Sequence, residues 1–266
     1  MPHLGAIAIH PIKSLPPVQV ASARIVECGA LEHDREFALF DAEGKYVNAK
    51  RYQSIHLIRA TIDWKEATVF LMSPSDTKPN AFHIPTQQAE LEQWLSEFFG
   101  KPVFWKRNSR GGYPDDTKAP GPTVIGASTL DAVAGWYPGV PVAEIRTRFR
   151  ANLEIVDAAP FWEDRLYAEP NQFVRFRIGD VEFEGTNPCQ RCVVPTRDTT
   201  TGDITPEFSN TFMERRKEHL PDWAAESRFN HYYRLAVNTR VPQSEVGKLV
   251  RVGDPIEILE VVMPDS

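Results

Sequence analysis

Cysteine is scarce in this chain of 266 residues: there are three, Cys28, Cys189 and Cys192. So small and odd a number cannot build a disulfide framework, and it fits a reducing compartment. It also excludes a conventional iron–sulfur cluster, which takes four cysteine ligands, so any electrons the protein uses are expected to come from elsewhere. No apolar run approaches the ~18 residues of a membrane-spanning helix. The start, Met1 to His10, lacks a charged region followed by a long apolar core. Positive charge is short as well. Against 36 Asp and Glu stand 30 Lys and Arg, and the net charge of −6 weighs against general nucleic-acid binding. There is no Walker motif and no G-x-G-x-x-G, so a nucleotide-binding fold has no support. A soluble, cytoplasmic protein without nucleic-acid or membrane partners is expected.

What is present is proline, 22 residues of it, which argues for many turns and a β-rich chain. The length suffices for one large domain or two modest ones. Residues 1–75 read as a strand meander. Gly5 to His10 and Val18 to Glu27 are apolar or partly alternating. Glu36 to Val47 predicts a hairpin turning at Asp41-Ala42-Glu43-Gly44, and Ile55 to Ile62 with Ala67 to Met72 predicts a further pair. The spacing of Leu91, Trp94, Leu95, Phe98 and Phe99 predicts a helix over Glu90 to Phe99, stopped by Gly100 and Pro102. Arg107 to Pro122 reads as a loop or domain connection. A short helix is predicted from Ser128, where Ser128-Thr129-Leu130-Asp131 resembles a capping box. Strands return at Leu153 to Val156, Phe173 to Ile178, Val181 to Glu184 and Leu249 to Leu259, with a helix over Phe208 to His219. The expectation is two lobes, residues 1–120 and 121–266.

Cys189-Gln190-Arg191-Cys192 is the first segment that asks for a chemical explanation. A structural zinc site needs about four ligands, and no second pair stands at zinc spacing. A thioredoxin-like dithiol should open a helix, which Val193-Val194-Pro195 does not favour. Two buried cysteines acting as small hydrophobes is the plain reading, weakened by the polar neighbours Asn187, Gln190 and Arg191. The fourth reading is a single thiolate ligand to a soft or high-valent metal.

Basic residues recur beside turns: Lys13-Ser14, Asp34-Arg35, Lys50-Arg51, and Arg146, Arg148 and Arg150 ahead of Asn152. In a strand the last three would share one face. Such a set, with hydroxyls such as Ser14, Ser128 and Thr129, suits a phosphate or carboxylate.

These stretches, in this order, resemble the MOSC superfamily with its N-terminal β-barrel partner domain. The matching segments include His10-Pro11-Ile12-Lys13-Ser14-Leu15, Gly29 to Arg35, Val47-Asn48-Ala49-Lys50 and Gly126-Ala127-Ser128-Thr129-Leu130. Further along they are Arg148-Phe149-Arg150-Ala151-Asn152, Phe161-Trp162-Glu163-Asp164, Ile178-Gly179-Asp180-Val181, and Asn187 to Cys192 with Thr199 to Gly202. The superfamily includes the mitochondrial amidoxime-reducing component, its bacterial relatives and the C-terminal domain of molybdenum-cofactor sulfurases. The resemblance implies an α+β, predominantly β fold: an N-terminal β-rich MOSC-N lobe and a C-terminal, barrel-like MOSC domain. It also implies a molybdopterin-type cofactor with molybdenum on Cys192. By that resemblance Lys13, Ser14, Arg35, Ser128, Arg150 and Asn152 would hold the pterin. Lys50, Thr129 and Arg148 are added as cofactor contacts from the basic and hydroxyl set, and Asp198 or Asp164 is expected, on our own reading, to relay protons. No pyridoxal phosphate and no iron–sulfur cluster are expected in this chain. Three departures stand out: Asn48-Ala49-Lys50 for Thr-Ala-Arg, Ala151 for proline, and Val193-Val194-Pro195-Thr196 after Cys192, where the family has Thr-Thr.

The implied activity is reduction of a small N-hydroxylated substrate to the amine by a molybdenum-dependent oxidoreductase. Its electrons would come from a separate donor, a ferredoxin-like protein or a flavin reductase. The alternative is a cofactor carrier or sulfur-handling module without turnover of its own.

Overall fold

The computed structural model describes residues 1–263. Residues 264–266, where the second expected lobe ends, lie outside the described residues. The first half holds β1 (His3–Ile9), β2 (Val18–Val20), β3 (Ser22–Arg24), β4 (Phe37–Phe40), β5 (Arg59–Asp63), β6 (Thr68–Met72), β7 (Asn80–His83), α1 (Gln88–Phe99) and β8 (Phe104–Arg107). Then come β9 (Val124–Gly126), α2 (Ala127–Ala134), α3 (Val142–Phe149), β10 (Leu153–Val156), β11 (Phe173–Ile178) and β12 (Val181–Gln190). The chain continues through α4 (Phe208–Glu218), β13 (Arg234–Arg240), β14 (Leu249–Arg251) and β15 (Ile256–Val262). The fold is α+β and predominantly β. No helix among the described residues is long and apolar enough to cross a membrane.

The main sheet has eight strands in the order β15-β11-β12-β13-β9-β10-β1-β2. Its ladders are antiparallel except β9–β10, where Leu153 pairs with Val124 in parallel. Parallel neighbours need a crossover, and α2 with α3 provides it. The smaller sheets are β5-β6-β7, β4-β8 and β3-β14.

The first strands do not stay in the first half. β1 pairs with β10, β3 pairs with β14, and Leu4, Ile7, Ala23 and Ile25 share one core with Val124, Phe176, Phe183 and Val237. A second core runs from Ile12 to Trp105, and partly buried Val194, from the loop after Cys192, packs on it. Residue 120 thus divides the sequence but not the first core, because β1 and β3 take ladder partners from the second half, β10 and β14.

Helix α1 has the predicted period: Leu91 and Leu95 are buried, and Gly100 caps it at φ 65°. Other predictions need correction. The turn at Asp41–Gly44 forms, but the return strand is one bridge, Phe40 to Tyr46, and the ladder partner of β4 is β8. All four residues of β4 are buried, so it needs cover on both faces rather than a hairpin arm. Val18 to Glu27 and Leu249 to Leu259 each split into two strands in different sheets. Arg146 and Arg148 lie on a helix. Ile145, Arg148 and Phe149 are its buried residues, at i, i+3 and i+4, so the helical period overrides the alternation of arginines. Ser128 stands inside the first turn of α2 behind a Gly126 cap, so there is no capping box.

Candidate cofactor-binding cleft

A cleft of about 570 Å³ runs between the lobes, within the range that holds a cofactor-sized ligand. One wall carries Lys13 and Ser14 after β1, the Asp34-Arg35 turn, and Asn48 to Lys50. The other carries the C-terminal end of α3, the end of β12 with both cysteines, and Arg234 and Asn238 of β13. The loop between β8 and β9 crosses over it.

Three lining residues, none of them glycine, have left-handed backbones: Ser14 (φ 73°), Arg35 (φ 52°) and Arg150 (φ 52°). Each conformation costs on the order of 1 kcal/mol and persists only where its surroundings impose it. At Arg150 the reason is visible. It caps α3, its N–H donating to Arg146 O, and the turn swings its side chain off the helix and into the cleft.

Asp34 organises the first wall. Its Oδ1 accepts from the His10 N–H at 2.7 Å and from Asn152 Nδ2 at 3.0 Å, and Oδ2 pairs with Arg35. Burial opposes its ionisation, but the Arg35 guanidinium and the His10 contacts together outweigh that and hold the carboxyl well below its usual range. Lys13 Nζ is buried and donates to Tyr113 O at 2.9 Å and Asp115 Oδ1 at 2.8 Å. Asp115 also lies 4.0 Å from Arg35 and from Lys50. Arg150 is different: among the described residues its guanidinium has neither an ion-pair nor a hydrogen-bond partner. Burial, then the nearby Arg35, lowers its pKa to about 10, so it remains charged at neutral pH. Eight cationic side chains against three carboxylates line this cleft in a protein of net charge −6.

The thiols close the far end. β12 contains Pro188, which has no N–H for the ladder, and its register on β13 shifts between Gly185 and Asn187 and again between Pro188 and Gln190. Such bulges turn a strand locally, and here they precede the thiol pair that lines the cleft. Cys189 Sγ lies 3.1 Å from Arg191 Nη1, and Arg191 Nη2 donates to Phe149 O at 2.5 Å. Cys192 follows on the loop whose Val194 docks on the first lobe. Arg234 donates to Pro188 O and Asn230 Oδ1. Arg191 and Arg234 are held by neutral acceptors or a thiol, with no carboxylate within ion-pair distance among the described residues.

Of the residues expected here, the fold brings Lys13, Ser14, Arg35, Lys50, Arg150 and Cys192 to the cleft surface. Asn152 and Arg148 line it but are engaged. Asn152 accepts from Thr123 and donates to Ala8 O and Asp34. Arg148 pairs with Glu144 and donates to Thr205, tying α3 to the loop after Cys192. Four residues lie elsewhere. Ser128 donates to Ala158 O, and Thr129 is fully buried, donating to Glu163 and accepting from the Phe161 N–H. Asp198 Oδ1 accepts from the Thr200 and Thr201 N–H groups in its own loop, which holds it ionised against the opposing effect of burial. Asp164 is buried against Arg216. Neither carboxylate lines the cleft.

Asp34, Asp115, Arg191 and Arg234 were not among the expected contacts. Asp34 and Arg191 sit inside motifs already quoted, but nothing local marks Asp115 or Arg234.

Residues 1–102 match the MOSC N-terminal beta barrel domain and residues 124–257 the MOSC domain. The chain is 24% identical to a molybdenum cofactor sulfurase of Drosophila grimshawi over 97% of its length, covering 35% of that protein. It is 26% identical to the Drosophila melanogaster sulfurase over 91%, covering 32% of it. It is 24% identical to that of Oryza sativa subsp. japonica over 71%, covering 28%. The chain therefore spans about a third of the length of these relatives.

Proposed function

The chain belongs to the MOSC family, and on that premise we propose that its cleft holds a molybdenum–pterin cofactor, with the Cys192 thiolate as the protein's ligand to the metal. The observation that carries the reading is Arg150, a guanidinium in an enforced left-handed turn, without a partner among the described residues, facing the same cleft as a thiol. Such a group suits a phosphate, which it can meet with two parallel hydrogen bonds.

The donor set fits the group as well. No cluster of three or more His, Cys, Asp or Glu among the described residues could hold a metal ion. A metal at Cys192 must take its other ligands from a bound group, and a dithiolene pterin is such a group. Arg150, Arg35 and Lys13 would take its anionic end, with the Ser14 hydroxyl as a neutral donor. Asp34 and Asn152 would fix Arg35, and Arg148 would fix the Cys192 loop.

When bound, such a cofactor supplies two-electron redox chemistry at the metal. The reaction we propose is reduction of an N-hydroxylated compound: R–NHOH, two electrons and two protons give R–NH2 and water. A separate ferredoxin-like or flavin-containing donor would supply the electrons. The chain's own part is to anchor the group, set the metal's thiolate ligand and admit the substrate beside Arg191 and Arg234.

A second reading, cofactor carriage or sulfur handling without turnover, has one observation in its favour. A second thiol, Cys189, shares the cleft and touches a guanidinium.

Molybdenum and pterin content decide the first step, measured on protein from a host that makes the cofactor. Near one molybdenum per chain is expected, falling sharply in Cys192→Ser while the fold is kept. Protein with neither metal nor pterin would remove the cofactor reading. A loaded protein given a chemical reductant and an amidoxime separates reductase from carrier, since the carrier makes no amidine, the N–O-reduced product.

A further inference from the structure

The loop between β8 and β9 is held at both ends and latched in the middle. At its entry, Gly112 adopts φ 57°, and a Cβ there would come within 2.9 Å of Asp34 O; Tyr113 N–H donates to Arg35 O at 2.8 Å. At its exit, Gly121 N–H donates to Thr239 O, and a Cβ would stand 2.5 Å from Thr239 Oγ1. Between them, Asp116 is bound to its own loop, accepting from the Lys118 and Ala119 N–H groups and from Asn238. Asp115 is not bound to its loop. Its carboxylate reaches back into the cleft, 2.8 Å from Lys13 and 4.0 Å from both Arg35 and Lys50, while its side chain stays 59% exposed. Three cations converge on one carboxylate that solvent can reach.

We propose that Asp115 is a displaceable latch: the protein's own carboxylate occupies the cation site and must leave Lys13 when a phosphate-bearing ligand enters. This rests on the reading of the cleft as an anion-binding site. The Lys13 ammonium is buried and, among the described residues, otherwise meets the Tyr113 carbonyl and, at 5.2 Å, the Tyr46 ring, neither of which carries a charge, so it needs an anion at all times. Without ligand, Asp115 supplies it. A phosphoryl group carries more negative charge and three acceptor oxygens, so it replaces Asp115 and frees residues 113–120 to move outward. The Lys13 charge is thereby balanced, and the strap covers it until a ligand arrives.

The test is calorimetric binding of inorganic pyrophosphate to the full chain, made in a host that lacks the pterin pathway. Asp115→Asn removes the competitor and should bind pyrophosphate about two- to fivefold more tightly, the size expected for an exposed ion pair. Asp116→Asn removes the same charge from the same loop, but its carboxylate does not touch the cations, so it should bind as wild type does. Equal affinity in wild type and Asp115→Asn overturns the latch, and so does an equal gain in both variants, which would be bulk charge alone. In case Asp115→Asn does not fold, wild type decides by itself. Pyrophosphate should speed amide hydrogen exchange across Tyr113–Lys118, and slowed or unchanged exchange overturns the proposal. Pyrophosphate that binds nothing also overturns it, while molybdenum and pterin content separately decide the cofactor reading.

Discussion

Charged side chains gather in two places in this protein, and the two groups are built on opposite plans. In the cleft, cations outnumber carboxylates and Arg150 is left without a partner. Under α4, two carboxylates, Glu163 and Asp164, face one guanidinium, Arg216, which is fully buried between the Phe161 and Phe229 rings. There each group has a partner inside the protein, although Arg216 Nη1 and Glu163 Oε1 have no hydrogen bond among the described residues: Arg216 pairs with Asp164, Thr129 donates to Glu163 at 2.8 Å, and burial with the adjacent Asp164 pushes the Glu163 pKa up to about 7. Surplus charge open to solvent suits a ligand. Charge matched inside a closed shell holds elements together. Charged residue types alone do not separate the two plans; what separates them is whether each group finds its partner within the protein.

The comparison breaks most visibly at the two arginines. Arg216→Met strands the buried Asp164 carboxylate and should cost about 3–5 kcal/mol of unfolding free energy, read by urea denaturation. Arg150→Met removes an unpartnered cation, so stability should change by no more than about 0.5 kcal/mol. Its pyrophosphate affinity, however, should fall on the order of tenfold. Equal destabilisation by the two substitutions would erase the distinction and with it the case for an anion site.

The same distinction explains what could be read from the sequence. Lys13, Ser14, Arg35, Arg150 and Cys192 were legible because they sit in short motifs whose resemblance covers the chain from end to end. Ser128, Thr129 and Asp164 sit in equally good motifs, yet their polar atoms are engaged beneath α2 and α4. A motif marks a residue whose type matters without saying whether a ligand or the fold requires it. Helix α1 was legible because its apolar period is local. Helix α3 was not, since its alternating arginines mask the period of Val142, Ile145 and Phe149. The pairing of β4 with β8 and the capture of β1 to β3 by the second lobe depend on contacts far apart in sequence. Asp115 was invisible for the same reason: its partner Lys13 lies 102 residues away.

Titration gives a second, smaller way to sharpen the comparison. A carboxyl raised from 4.5 to about 7 holds its proton more tightly in the folded chain. Glu163 therefore contributes stability that is full below about pH 4.5 and is lost as pH rises through about 7. Asp34 and Asp115 run the other way. Burial opposes their charge, but Arg35 with His10 at Asp34, and Lys13 with Arg35 and Lys50 at Asp115, together outweigh it, so both are held below the ordinary 3.8. Their contribution is present above that value and is lost as pH falls further. Glu163→Gln should remove the first slope only. Relative to wild type it should gain up to ~1.4 kcal/mol per pH unit between pH 5 and 7 in urea unfolding, with the groups common to both cancelling. A difference that is flat with pH would place the Glu163 carboxyl in ordinary titration and open the closed cluster to water.

The smallest effects come from two serines of the same chemistry in the two settings. Ser128→Ala removes a hydroxyl that donates to Ala158 O at 2.8 Å, so it should cost about 1 kcal/mol of stability and leave pyrophosphate affinity unchanged. Ser14 Oγ accepts from the Ala49 N–H at 3.1 Å and borders the cleft with its own hydrogen free to donate. Ser14→Ala should cost about as much stability, because it leaves that N–H without its partner, but it should also weaken pyrophosphate by a factor of roughly two to five. Both substitutions delete one oxygen from a half-buried residue, so thermal stability alone should not tell them apart. Binding should, since Ser14 lines the cleft with Arg150 and Ser128 does not. A loss of affinity at Ser128 equal to that at Ser14 would return α2 to the ligand's surroundings.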